Sequence, residues 1–265
     1  MKIRNLIREK IAEKGHVIGA FVASGSANNC EILAMNGFDF IVIDMEHAQT
    51  SCETAVDMFR ASELYGMAPL VRVYSPYDGA AMSRLLDVGA HGIMVPLVNN
   101  PEQAKSIVDN TKYAPIGHRG ANGGRGPRWG NYEDYIHTAN DGCLTLVQCE
   151  SLEGLSHVEE IAAMPGIDGI FIGTGDLTLE MGLKFTADTC SDHQVSSNAI
   201  VEAIDRILKA CQDNGKISGI VTLSAEDAAR RINQGFQLVT CMNDLGFFAS
   251  RTKAHLARVN ELIEK

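Results

Sequence analysis

The stretch FDFIVIDMEH, residues 38–47, sets the pattern that runs through this chain. A short run of apolar and aromatic side chains ends abruptly in two acidic residues and a histidine. Three other runs end on a charged residue in the same way: APLVRV (68–73), LTLVQCE (144–150) and GIFIGTGD (169–176). Short apolar runs that alternate with helix-like segments predict buried parallel strands.

Eight such runs alternate with helix-like segments, and this rhythm predicts a (β/α)8 TIM barrel of the α/β class. A doubly wound sheet is the alternative, but it usually has about five or six strands and a glycine fingerprint after the first strand, where this chain has GSANN (25–29). We predict one barrel domain over residues 1–265, with helices at both ends of the chain. The runs lie at 16–24, 38–44, 68–73, 92–98, 144–149, 169–173, 217–222 and 237–242.

The net charge, the cysteines and the length of the apolar runs indicate which partners and which compartment to expect. The net charge of −10 argues against a nucleic-acid partner. Seven cysteines without CxxC pairs or zinc-site spacing are typical of reduced thiols in a cytosolic protein. No apolar run approaches the roughly 20 residues that span a membrane. We therefore expect a soluble, cytoplasmic protein that has no membrane partner.

The charged residues at the strand ends form a candidate site, because the C-terminal ends of barrel strands converge on one face. Glu150 and Asp176 end the predicted strands 5 and 6, so their carboxylates should lie side by side. Mg²⁺ and Mn²⁺ prefer oxygen ligands and are often held by only two carboxylates. Each residue could instead cap the helix that follows it, and the spacing alone leaves metal binding and capping equally open.

His47 and Arg72 are the other two members of this group. His47 follows Asp44 and Glu46, which can orient an imidazole, so it is a candidate base, although a structural histidine fits the pattern equally well. Arg72 could bind a substrate carboxylate through two hydrogen bonds, or it could form an ion pair with Glu46 or Asp44.

Lysine positions separate two catalytic mechanisms that a barrel mouth could support. A Schiff-base enzyme needs a lysine inside the barrel mouth. Every lysine of this chain falls in a helix or a loop, or, in the case of Lys216, at the wrong end of predicted strand 7. The sequence therefore disfavours a covalent imine and leaves metal-assisted enolate chemistry open.

Residues 113–130, YAPIGHRGANGGRGPRWG, interrupt the alternation of strands and helices. Six glycines and two prolines exclude a regular element. The arginines Arg119, Arg125 and Arg128 and the single tryptophan predict an ordered loop, which we expect over the barrel mouth.

The motifs together resemble the HpcH/HpaI family of class II pyruvate aldolases over nearly the whole chain. The matching motifs are IVIDMEH (41–47), LVRV (70–73), RLLDVGAHGIMVPLV (84–98), Tyr113 with GHRG (117–120), LVQCE (146–150) and IGTGDL (172–177).

The resemblance implies a (β/α)8 barrel that binds a divalent cation, Mg²⁺, Mn²⁺ or Co²⁺, through Glu150 and Asp176. A 2-oxo acid, pyruvate or oxaloacetate, would chelate this metal and form an enolate, with an aldehyde or another electrophile as its partner. The family also implies a homotrimer or homohexamer in which the last helix packs on a neighbouring subunit.

The same resemblance assigns roles to single residues. Arg72 would stabilise the enolate oxygen, and His47 would be the general base, supported by Asp87 of the same or a neighbouring subunit. Gln148 would line the site. The N–H groups of Thr174 and Gly175 would hold the oxo-acid carboxylate.

Three segments depart from the family pattern. The chain has GTGDLT (173–178) where these aldolases usually read GPxDLS, LKFTADTCSDHQV (183–195) is unusual, and YSPYDG (74–79) replaces the motif usual after the strand 3 arginine. The leading hypothesis is a lyase that cleaves or forms a 4-hydroxy-2-oxo acid. The alternatives are an oxaloacetate condensation, such as citrate synthesis from acetyl-CoA in a siderophore pathway, and a non-catalytic 2-oxo-acid-binding barrel.

Overall fold

The computed structural model describes residues 3–184 and 198–263 and contains a closed barrel of eight parallel strands. The strands hydrogen-bond in sequence order, and the last pairs with the first. The predicted (β/α)8 barrel is therefore confirmed. The strands are β1 (Val17–Val22), β2 (Phe40–Asp44), β3 (Ala68–Arg72), β4 (Gly92–Val95), β5 (Leu144–Cys149), β6 (Gly169–Ile172), β7 (Ile217–Thr222) and β8 (Leu238–Asn243).

The helices lie between and around these strands. Several begin at a polar residue whose side chain accepts a hydrogen bond from the first turn, as Ser51 does from the N–H of Thr54. The helices are α1 (Leu6–Lys14), α2 (Ala27–Met35), α3 (Cys52–Glu63), α4 (Gly79–Asp87), α5 (Pro101–Thr111), α6 (Tyr135–Gly142), α7 (Leu152–Ser156), α8 (Val158–Ala163), α9 (Thr174–Glu180), α10 (Asn198–Asp213), α11 (Ala225–Gln234) and α12 (Asp244–Ile263).

Strand β2 shows why an unbroken apolar run suits this fold. Phe40 and Val42 pack in the barrel interior, whereas Ile41 and Ile43 pack in the layer beneath the helices. Both faces of the strand are therefore buried, as expected of a parallel strand. The same alternation carries Asp44 to the inside at the C-terminal end, where it lines a cavity.

Helix α1 closes the end of the barrel where the strands begin. Ile7 is buried with the interior side chains, and Arg8 forms an ion pair with Asp168, directly before β6. Lys14 Nζ lies 2.7 Å from Asp39 Oδ2, directly before β2. Helix α1 therefore covers this end, and the interior is approached from the C-terminal ends of the strands.

The loop of residues 113–130 is ordered, as predicted, but it lies at the opposite end of the barrel from the predicted position. Arg125 Nη2 donates to Glu63 Oε2 at 2.7 Å, and Arg128 also binds Glu63, which ends α3. The loop follows a helix, and each helix returns the chain to the face where the strands begin. The expectation of a loop over the mouth was wrong because it rested on composition rather than on this position.

Smaller differences concern boundaries and cysteines. The helix expected from Val195 to Asn214 is observed as α10, and Val195 lies outside the described residues. None of the described helices is long and apolar enough to cross a membrane. The cysteines in the described part of the chain are free thiols, namely Cys30, Cys52, Cys143, Cys149, Cys211 and Cys241.

Candidate active site

A cavity of about 210 Å³ opens at the C-terminal end of the barrel. Both predicted metal ligands and most of the predicted substrate-binding residues line it. The lining residues are Phe21, Ala23, Asp44, Arg72, Gln148, Glu150, Phe171, Gly173, Gly175, Asp176, Val221, Leu223, Met242 and Asn243.

Arg72 is held rigidly at the wall of this cavity. Its Nε and Nη2 donate to the two carboxylate oxygens of Asp44 at 3.0 and 2.8 Å, and its Nη1 lies 3.2 Å from Glu46 Oε2. The guanidinium lies 4.8 Å from the centroid of the Phe21 ring. Both ion pairs left open by the sequence therefore form. They leave the group oriented towards the cavity, where a planar fork of donors suits an oxyanion.

Glu150 is a buried carboxylate whose two oxygens are both held. Oε1 accepts from the backbone N–H of Leu97 and Oε2 accepts from Gln148 Nε2, each at 2.7 Å. Gly173 makes room for it, since a Cβ on Gly173 would lie 2.2 Å from Oε2. Glu150 is therefore fixed by its surroundings and does not serve as a helix cap here, because Ser151 caps α7.

The electrostatics of Glu150 favour a cation beside it. Burial, the largest cause, raises the pKa of this carboxyl to about 7, and the charges of Glu46 and Asp176 act in the same direction. The Leu97 hydrogen bond and the charge of Arg72 oppose the rise without cancelling it. A carboxylate that is costly to ionise is stabilised by a nearby cation.

Asp176 and Gly175 lie in the first turn of α9, on the same side of the cavity as Glu150. Asp176 is exposed, whereas Thr174 is buried and its Oγ1 has no hydrogen-bond partner. The buried Oε1 of Gln148 also lacks a partner. Two neighbouring carboxylates and an unsatisfied amide oxygen fit a hard divalent cation or the ligands around it.

Few side chains of this cavity could bind a metal ion directly. Among residues 3–184 and 198–263, no group of three or more His, Cys, Asp or Glu side chains comes together in a way that could hold a metal ion. Two carboxylates alone suit a cation of the Mg²⁺ type, which keeps several positions for water and substrate. The residues present fit such a site.

His47 lies at the rim of the mouth. Its side chain is 65% exposed, and Nε2 is 3.6 Å from Glu46 Oε2. Burial raises the pKa of Glu46, with further contributions from Asp44 and Asp176 that Arg72 and His47 oppose. Glu46 therefore lies between the imidazole of His47 and the guanidinium of Arg72 and contacts both.

Asp87 lies at the other end of the barrel. Its carboxylate accepts from Arg119 Nη2 at 2.8 Å and from Asn122, and its backbone oxygen accepts from Gly126 in the 113–130 loop. Within one chain, Asp87 ends α4 at the face where strands begin, whereas His47 follows the end of β2. The predicted pairing with His47 therefore requires a second copy of the chain and remains a prediction.

The sequence pattern did not identify two groups of residues around the cavity as part of the site. Leu97 acts through its backbone N–H, which no side-chain pattern reveals. Ala23, Val221, Leu223 and Met242 line the remaining wall. Their positions at the ends of predicted strands 1, 7 and 8 were the available signal, but no charged residue marked them.

Comparison with known proteins agrees with this geometry. The model of the HpcH/HpaI aldolase/citrate lyase family matches residues 17–250. A hydroxypyruvate/pyruvate aldolase of Delftia acidovorans is 36% identical over 86% of this chain and 82% of its own. A 4-hydroxy-2-oxovalerate aldolase of Rhodococcus jostii is 34% identical over 96% of this chain and 95% of its own.

Solved structures give the same assignment. An HpcH/HpaI aldolase/citrate lyase family protein of Burkholderia cenocepacia has a TM-score of 0.86 at 29% identity, covering 97% of this chain and 99% of that one. A citrate synthase has a TM-score of 0.83 at 28% identity, covering 97% and 98%. The resemblance and the lyase class predicted from the sequence are confirmed. The chain belongs to the HpcH/HpaI aldolase/citrate lyase family.

Proposed function

We propose that this chain is a metal-dependent aldolase that cleaves a 4-hydroxy-2-oxo acid into pyruvate and an aldehyde, or joins them in reverse. The observation that carries the proposal is the pairing of Glu150 and Asp176 beside Arg72 in one cavity. The named aldolase relatives support the substrate class. Class II aldolases of this family generally depend on a divalent metal.

The metal is proposed to be Mg²⁺, Mn²⁺ or Co²⁺. Glu150 and Asp176 would hold it, and when bound it would act as a Lewis acid that withdraws charge from the oxygen atoms of the 2-oxo acid. Gln148 would orient Glu150 through its hydrogen bond and present its unsatisfied Oε1 to the ligands. The backbone N–H groups of Thr174 and Gly175 are proposed to hold the substrate carboxylate.

Cleavage needs a base and an oxyanion stabiliser. His47 would take the proton of the C4 hydroxyl, directly or through water, as the C3–C4 bond breaks and the aldehyde leaves. The bonding electron pair moves to the C2–C3 unit, and Arg72 would donate to the resulting enolate oxygen. Protonation at C3 completes pyruvate. Because Asp44 and Glu46 hold the guanidinium, little reorganisation is required of Arg72.

The assembly is proposed to be a homotrimer or homohexamer in the cytoplasm, built from single-barrel chains. Large apolar side chains of α12 are exposed, among them Phe248 and Ile263, which are 71% and 74% exposed. Exposed large apolar side chains on this helix support packing against another copy. A second subunit would also bring the partner subunit's Asp87 within reach of an exposed His47.

A coupled assay of pyruvate release tests the proposal. EDTA should abolish turnover and Mg²⁺ or Mn²⁺ should restore it, and Glu150→Gln and Asp176→Asn should both be inactive. Undiminished turnover in EDTA would contradict a metal-dependent reaction.

A second candidate is an oxaloacetate condensation. The likeness to a solved citrate synthase is the observation that favours it, although the named relatives with higher identity are aldolases. Citrate formed from oxaloacetate and acetyl-CoA, without pyruvate release from hydroxy-oxo acids, would favour this candidate. A non-catalytic barrel would bind oxalate in the presence of metal but leave the methyl protons of pyruvate unexchanged.

A further inference from the structure

The cavity at the barrel mouth has two walls of opposite chemistry. The strand ends of β2, β3, β5 and β6 supply the charged and amide groups. The adjoining ends of β7, β8 and β1 supply what we call the apolar wall, made of Ala23, Val221, Leu223 and Met242. Asn243 also lies on this side, but its Oδ1 is used by the N–H of Gly246 at 2.6 Å.

The polar side carries an excess of negative charge. Asp44 and Glu46 contact the guanidinium of Arg72, and Glu150 and Asp176 line the same cavity. Four carboxylates thus accompany one guanidinium. Even with a divalent cation and the carboxylate of a 2-oxo acid in place, the mouth retains a net negative charge.

Among the described residues that line the cavity, a second substrate carboxylate would find no free lysine or arginine. Arg72 is the one Lys or Arg side chain among the described residues that line the cavity, and it is already paired. Residues 185–197 contain neither lysine nor arginine. A neighbouring copy could present its 113–130 loop, but the arginines of that loop are occupied, Arg119 by Asp87 and both Arg125 and Arg128 by Glu63.

From these two walls we infer that the acceptor is an uncharged aldehyde with a short apolar chain, which lies against the apolar wall. The inference rests on the proposed aldolase function and specifies its second substrate. In the condensation direction, C3 of the enolate attacks the aldehyde carbon, and the carbonyl oxygen takes up a proton to become the C4 hydroxyl. A distal carboxylate would have to be desolvated beside apolar side chains and repelled by the acidic side.

Three aldehydes built on the same four-carbon chain test the inference with pyruvate and Mn²⁺. Butanal ends in a methyl group, succinic semialdehyde ends in a carboxylate, and its methyl ester removes the charge and adds one methyl group. We expect kcat/KM for butanal and for the ester to exceed that for succinic semialdehyde by about tenfold or more, the size of a 1.4 kcal/mol preference.

A variant that introduces a charge tests whether the uncharged wall causes this preference between aldehydes. Leu223→Arg places a cation in the apolar wall, and Leu223→Gln is the uncharged control of extended length. Relative to the Gln variant, the Arg variant should gain in kcat/KM for succinic semialdehyde and lose for butanal. Equal ratios in the two variants would contradict the role of charge at this wall.

Proton exchange at the pyruvate methyl group can be measured without any aldehyde. It therefore distinguishes a failure of the acceptor inference from a failure of the proposed function. If exchange occurs but succinic semialdehyde equals or exceeds butanal and the ester, or no aldehyde reacts, the acceptor inference is overturned and enolate formation stands. If exchange is absent with every metal, the proposed function fails and the inference with it.

Discussion

The backbone N–H of Leu97 donates to Glu150 Oε1 at 2.7 Å from a residue whose φ is 50°. This left-handed conformation is unusual for a residue other than glycine and costs on the order of 1 kcal/mol. It is maintained where the N–H satisfies a buried carboxylate, while Gln148 binds the other oxygen. Glu150 is therefore oriented by the protein before any ligand arrives.

Gly173→Ala tests this orientation. The added Cβ would lie 2.2 Å from Glu150 Oε2, so the carboxylate must move. We expect Mn²⁺ affinity, measured by titration calorimetry, to fall by about tenfold or more, which corresponds to about 1.4 kcal/mol. Gly120→Ala is the matched control, since nothing lies within 4 Å of its added Cβ. Unchanged affinity in Gly173→Ala would show that the position of Glu150 does not govern metal binding.

The pKa of Glu150 predicts how the metal-free protein responds to pH. Burial, the largest cause, raises this pKa to about 7, and the negative charges of Glu46 and Asp176 act in the same direction. A raised acidic pKa stabilises the fold below the usual value near 4.5, and this contribution is lost as pH rises through about 7. Metal-free protein should therefore lose up to about 3 kcal/mol of unfolding free energy between pH 5 and 8 from this group.

Glu150→Gln supplies the comparison. The neutral amide has no charged form, so the decline in unfolding free energy between pH 5 and 8 should be shallower than in the unsubstituted protein. Denaturant titrations in EDTA at both pH values measure it. Parallel declines would indicate that Glu150 does not carry the pH dependence.

Glu63 holds the 113–130 loop through ion pairs with two of its arginines. These ion pairs should make the unfolding free energy depend on pH in the acidic range. Burial alone would raise the pKa of Glu63, but hydrogen bonds with His91 and Arg128 outweigh burial and lower the pKa to about 2. A lowered acidic pKa contributes stability at neutral pH that is lost as pH falls below the usual value towards about 2. Glu63→Gln should lower the unfolding free energy at pH 7 by about 1–3 kcal/mol, as expected when the buried Arg125 and the half-buried Arg128 lose a charged partner.

The stability of Glu63→Gln should also fall less steeply than that of the unsubstituted protein between pH 5 and 3. Glu13→Gln, at an exposed position of α1, is the control and should behave as the unsubstituted protein. If the two variants have equal unfolding free energies at pH 7, the ion pairs of Glu63 contribute nothing measurable.

The separation of His47 from Asp87 predicts a shared active site. His47→Ala and Asp87→Asn should each be nearly inactive as pure oligomers. In mixed oligomers, a site that combines an intact His47 with the partner subunit's Asp87 is restored, so co-expression should recover activity. No recovery in mixed oligomers, verified by mass spectrometry to contain both chains, would exclude this shared pair.

The residues best predicted from the sequence are those whose position follows from a strand. The run that ends at Asp44 is apolar on both faces, which specifies a parallel strand, and parallel strands deliver their C-terminal residues to one cavity. Arg72, Glu150 and Asp176 reach that cavity for the same reason.

The sequence was a poor guide where position depends on the path of the chain between strands. The arginines of the 113–130 loop were placed at the mouth, but the loop follows a helix that returns the chain to the opposite end. Asp87 ends α4 at that same end, so its predicted role at the mouth depends on a neighbouring subunit. Leu97 contributes a backbone N–H in an unusual conformation, and neither feature is encoded by its side chain. The apolar wall lacks charged residues and so resembled ordinary core.

Glu150, Asp176, Arg72 and His47 are proposed to form an enolate from a 2-oxo acid. Deuterium exchange of the pyruvate methyl protons in D₂O, followed by NMR, tests it before any aldehyde is known. We predict exchange that requires Mg²⁺ or Mn²⁺, stops with oxalate, a planar mimic of the enolate, and is lost in Glu150→Gln. Exchange that persists in EDTA or in Glu150→Gln, or no exchange with any of the three metals, would contradict it.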